Sequence, residues 1–115
     1  VVNKQARVTA VFSALADPTR RRILEHLSGQ GVSRVTALAK PFRMSLPAIS
    51  RHLRVLENAR LVKRQRHGRV HLMRTDTAGL QEARKWITQC AAAWESGFDA
   101  LDELLKSEQR KERKL

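Results

Sequence analysis

A chain of 115 residues is one domain with room for a modest core, and its single cysteine, Cys90, excludes an internal disulfide framework and suits a reducing cytosol. No run of about 18 apolar residues occurs, so no membrane span is expected, and the opening residues from Val1 show no signal-peptide h-region. The net charge of +12 points to a polyanionic partner.

In the first part of the chain, Val8, Val11, Phe12 and Leu15 are spaced as one face of a helix over roughly residues 3–15. A second helix opens at "ADPTRRRILEHLSG", where Asp17 is the N-cap and Pro18 the first helical residue. Ile23, Leu24 and Leu27 face inward, and Gly29 follows the end. A short third helix is expected over about Ser33–Lys40, with Val35, Leu38 and Ala39 buried, stopped by "KPF".

"SLPAISRHLRVLENARLV" forms the fourth helix, about 45–58, with Ser45 as N-cap ahead of Pro47. Ile49, Leu53 and Leu56 share one stripe at 100° per residue, with Ala48 and His52 at its edge. Pro47, Ser50, Arg51 and Arg54 gather on the opposite arc, small at the tip and then cationic. The period then changes. "LVKRQRHGRVHLMR" alternates on either side of Gly68, as a two-stranded hairpin does. It carries Lys63, Arg64, Arg66, Arg69 and Arg74 without one carboxylate, more cation than protection of an edge strand requires.

The charge is concentrated in this same region. Residues 1–39 hold six Lys/Arg against two Asp/Glu, residues 40–74 ten against one, and residues 75–115 seven against eight. A final helix, about Thr77–Lys106, repeats Leu80, Ala83, Ile87, Cys90, Trp94, Gly97, Leu101 and Leu104 at spacings of three and four. Trp86, Phe98 and Leu105 broaden that seam. A helix of some 45 Å exceeds what so small a core covers, so either a second copy covers it or it folds back on the first helix. Residues 108–115 are expected to fray, leaving 1–107 as the domain.

Short helices followed by a basic hairpin read as a mainly α fold with a small β-hairpin, a winged helix-turn-helix. Its fourth helix enters the major groove of double-stranded DNA. Ser50 meets a base edge or phosphate, Arg51 pairs with a guanine, and Arg54 reaches phosphate. The hairpin residues Lys63, Arg64, Arg66, His67 and Arg69 form the rest of that face. Val8, Val11, Phe12, Leu80, Ile87, Cys90, Trp94 and Leu101 are expected to join two copies through the first and last helices. No Gly-rich phosphate loop, nucleophile elbow or carboxylate pair suggests an enzyme. A protein-interaction adaptor would explain the last helix but not the basic block.

"ALADPTRRRILEHL", "SLPAISRHLRVLENARLV" and "RHGRVHLMR" together resemble the arsenic-repressor (ArsR/SmtB-like) winged-helix regulators, over roughly residues 8–105. The resemblance implies a cytoplasmic homodimeric repressor on an inverted repeat, with Ser45, Pro47, Ser50 and Arg51 at DNA-reading positions and 63–71 as the wing. Two positions depart from it: Arg43 and Arg60 stand where relatives commonly have Gly, and each adds a cation to the basic region. Metal-sensing members carry paired cysteines in the third helix, or His/Asp/Glu sets in the last. Here the third helix reads "RVTALAKPF" and Cys90 stands alone, so no metal or other cofactor is expected. Pairing of two Cys90 side chains across a dimer is the one alternative route to a thiol or metal sensor. Trp86, Trp94 and Phe98 match the aromatic last helix of non-metal members, as core or as a ligand pocket.

Overall fold

The computed structural model describes residues 3–114. The chain divides into two compact units, Val1–Ala83 and Arg84–Leu115. In the first, α1 (Lys4–Leu15) starts at Asn3, whose Oδ1 accepts the Ala6 N–H at 2.8 Å. It buries Val8, Val11 and Ala14. α2 (Pro18–Gln30) starts at Asp17, which accepts the Arg20 N–H at 3.0 Å. The last carbonyls of α1 find their donors in α2. Arg20 Nε donates to Ala14 O at 2.8 Å, Arg20 Nη2 to Ser13 O at 3.0 Å, and Arg21 Nη1 to Leu15 O.

α2 runs through Gly29 and ends at Gly31, whose φ of 82° only glycine adopts without strain. The expected third helix is divided. Val32–Arg34 is a strand, β1, and only Val35–Ala39 is helical, α3. Three extended residues are too few to show a period of two, and what makes them a strand lies far along the chain: β1 pairs with Arg74, Met73 and Leu72. α4 (Leu46–Asn58) is capped by Ser45. β2 (Val62–His67) and β3 (Val70–Thr75) form the hairpin, turning at Gly68 with φ of 61°. The sheet is antiparallel, with three strands rather than two, in the order β1-β3-β2.

Ile23, Leu27, Leu38, Ile49, Leu53, Leu56, Leu61 and Met73 fill the core beside Val11, Ala14 and Ala83. Burying each large side chain stabilises the fold by about 1.5–3 kcal/mol. Val8 and Val11 belong to this burial and not to an exposed face. Both side chains are thus largely covered within their own chain. Phe12 and Leu80 remain exposed in this unit.

Arg43, at the end of the turn that follows α3 and its Lys40 cap, and Arg60, next after the Ala59 cap of α4, take left-handed backbone conformations with φ of 51° and 59°. Both turns close with bonds back into the preceding helix, Met44 N to Ala39 O at 3.3 Å and Leu61 N to Leu56 O at 3.0 Å.

α5 (Ala78–Arg113) supplies the second unit. It continues past the expected end at Lys106 because no Gly or Pro interrupts a run of good helix formers, and Lys106–Glu103 and Lys111–Glu108 pair at i,i+3. Ile87, Trp94, Phe98, Leu101, Leu104 and Leu105 are all exposed there, as is Trp86.

Candidate nucleic-acid interface

α4 is two-faced. Ile49, Leu53 and Leu56 are fully buried, which fixes the rotation of the helix about its axis. That rotation leaves Pro47, Arg51 and Arg54 exposed and Ser50 half-buried. Ser45 is itself exposed, with its Oγ on the Ala48 N–H at 3.3 Å. Ser45 and Pro47 are small, while Leu46 between them, the first residue of α4, is a large exposed side chain at the tip.

The hairpin register explains the opposing side of the site. Arg64 lies opposite Met73 and Arg66 opposite His71, so these four share a face with Val62. Along that face the burial falls from Val62 and Met73, through half-buried Arg64 and His71, to exposed Arg66. Lys63, His67 and Arg69 are exposed elsewhere on the hairpin.

Between α4 and the hairpin lies a groove of about 520 Å³, lined by Ser50, Arg54, Arg64, Arg66 and Arg69 among the expected residues. Arg34, Glu57 and His71 line it too. Sequence reading missed these three. Arg34 arrives on the unrecognised strand β1, and Glu57 is the single acidic residue of the basic block. The groove does not include Arg43, Ser45, Pro47, Arg51, Arg60, Lys63 or His67, which lie outside its walls and, among the described residues, are exposed.

Arg64 is held differently from the other wing cations. Its side chain is 15% exposed, with Nε 3.4 Å from Glu57 Oε1 and Nη1 2.8 Å from His71 Nδ1. A guanidinium only donates, so His71 Nδ1 accepts and the imidazole carries its proton on Nε2. Arg64, expected from the sequence to face DNA, makes these two contacts within the chain.

The other histidines are dispersed. His26 packs edge-on against Phe42 at 5.7 Å, and His52 Nδ1 lies 3.9 Å from Asp17 Oδ2. The backbone bond from Arg20 holds the Asp17 carboxyl below its ordinary range; burial opposes this, and the charges of Arg20 and His52 add to it. Among the described residues, no group of three or more His, Cys, Asp or Glu side chains is placed to hold a metal ion. No helix among them is long and apolar enough to cross a membrane.

Comparison with known proteins agrees with this architecture. Residues 17–64 match the bacterial regulatory protein, arsR family. The transcriptional repressor SdpR of Bacillus subtilis is 38% identical over 67% of this chain and 84% of its own length. An ArsR-like transcriptional regulator from Rhodococcus sp. RHA1 superposes with a TM-score of 0.76 at 30% identity, covering 87% of this chain and 93% of its own. A homodimeric winged helix-turn-helix DNA-binding domain from Mycobacterium bovis gives 0.58 at 34%, covering 77% and 80%. With the buried α4 stripe, the basic wing and these likenesses, the chain belongs to the arsR family of bacterial transcriptional regulators.

Proposed function

We propose that this protein is a cytoplasmic homodimeric repressor that binds an inverted-repeat operator in double-stranded DNA, with one α4 and one wing in each half-site. One observation carries the reading: burial of Ile49, Leu53 and Leu56 leaves Arg51 and Arg54 exposed on α4, with Arg54 in the wall of the arginine-lined groove. Arg51 reads a base edge, while Arg54, Arg66 and Arg69 contact phosphates on either side of it. Arg43 and Arg60, Ser45, Pro47 and Ser50, Lys63 and His67 complete the contact surface. A second copy covers the exposed apolar residues of the second unit, Ile87, Trp94 and Leu101 among them, with Cys90 half-buried beside them. The homodimeric Mycobacterium bovis domain and the repressor SdpR support both parts. Its action is independent of metal, and it performs no catalysis. Footprinting on the DNA upstream of its own gene tests the reading. Protection of two half-sites about one helical turn apart is expected, and uniform protection without a preferred sequence would refute it.

A further inference from the structure

Glu57 is hard to reconcile with a surface made for phosphates. It is the single carboxylate among ten cations in residues 40–74, and it stands in the wall of the groove. A carboxylate there repels DNA, and simple electrostatics gives tighter binding of every duplex without it. Its contact explains its presence. Glu57 is in the last turns of α4, Arg64 in the middle of β2 and His71 near the start of β3. The chain of contacts Glu57–Arg64–His71 therefore ties the recognition helix to both strands of the wing.

We propose that Glu57 is a positioning residue for DNA recognition: through Arg64 and His71 it fixes the wing against α4, so that the exposed wing cations and the α4 face meet the duplex in one register. Arg64 is the coupler of this clamp. At 15% exposure it is only partly open to solvent, and its guanidinium plane can serve the carboxylate through Nε and the imidazole through Nη1 at once. Arg66 and Arg69, with no such tether, remain on the wing for phosphate. The proposal rests on the DNA-binding reading and deepens it: specificity depends on a residue that lowers the total attraction for DNA.

The test compares the full-length wild type with Glu57→Gln, Glu57→Asp, Arg64→Gln and the Glu57→Gln/Arg64→Gln double variant. Two probes are used: the duplex that the wild type selects from a random-sequence pool, and a scrambled duplex of equal composition. In Glu57→Gln the preference for the selected duplex should fall about tenfold, while affinity for the scrambled duplex holds or rises. Glu57→Asp keeps the charge but withdraws it by one methylene, and should also lose preference. The double variant should be no worse than Arg64→Gln, because both residues act through one contact. In the free proteins, heteronuclear NOEs of the 66–70 amides should drop with each variant, and melting temperatures confirm that all are folded. Parallel tightening on both duplexes with an unchanged wing would overturn the proposal. A wild type that selects no sequence would remove the DNA reading and the proposal with it; the wing NOEs separate the two failures, since they report on the clamp without DNA.

Discussion

The amide of Gly79 donates to the carbonyl of Arg60 at 2.8 Å, and a Cβ on Gly79 would run into the carbonyls of Ala59 and Arg60. The first turn of α5 is thus seated directly on the left-handed turn that ends α4. Gly79→Ala should destabilise the fold by about 1–3 kcal/mol in urea unfolding, since backbone atoms and not a flexible side chain must move. A variant as stable as the wild type would show that this seat yields easily.

The left-handed turns themselves hold side chains that strain them. Arg43→Gly and Arg60→Gly should each raise stability by about 1 kcal/mol, because Gly loses the Cβ penalty at positive φ. Each also removes a cation from the basic region, so DNA binding at low salt should weaken. A double variant with a lower melting temperature and unchanged DNA affinity would contradict both halves of this trade.

Two kinds of arginine should separate in binding experiments. Arg51→Ala should cost about 1–3 kcal/mol on the operator and relax its preference at one base pair. Arg66→Ala should weaken all duplexes alike and reduce the slope of log K against log salt by about one unit. Equal losses on specific and non-specific DNA for Arg51→Ala would refute its role as a base reader.

Acid should act partly through Asp17. Its folded pKa is depressed below the ordinary 3.8, first by the Arg20 backbone bond, so its ionised form stabilises the native state. That contribution is complete above the unfolded value and is lost as pH falls through the folded one. Stability should therefore decline below about pH 4, less steeply in Asp17→Asn, which keeps a capping oxygen without the titrating charge. Identical acid limbs in the two unfolding series would exclude Asp17 as a contributor.

Zinc, copper(I) and arsenite should not release the protein from its operator. Cys90 is flanked by Gln89 and Ala91, and Trp86, Ile87, Ala93 and Trp94 stand one turn away. None of these is a good ligand for a thiophilic ion. Release at near-stoichiometric metal, abolished by Cys90→Ser, would make Cys90 a sensor across the dimer.

How far these features could be read from the chain differs with their range. The caps at Asn3, Asp17 and Ser45 act within three residues; those at Asp17 and Ser45 are legible in the sequence, as are the α4 stripe and the turn at Gly68. The positive φ at Arg60 follows from its place just after the α4 cap, whereas that at Arg43 belongs to the longer turn beyond the Lys40 cap. β1 was illegible because three residues carry no periodicity and their partner strand is remote. The role of Arg64 lay between the two cases. The period of two along 62–66 puts it on the face of Val62, but only the fold brings Glu57, seven positions earlier, to its side.

Arg20 and Arg21, by closing the end of α1, change what the net charge means. Their guanidinium groups are committed to peptide carbonyls, as Arg64 is to Glu57 and Arg7 to Glu82 at 3.4 Å. These four cations shape the scaffold, and on the proposed reading they should displace few condensed ions from a duplex. On the proposed DNA-binding reading, the ion stoichiometry of binding should count the exposed arc of α4 and the wing tip, and fall below what +12 suggests. Arg20 and Arg21 keep their full charge against neutral carbonyls; what the helix end takes from a duplex is their donor groups, not their charge.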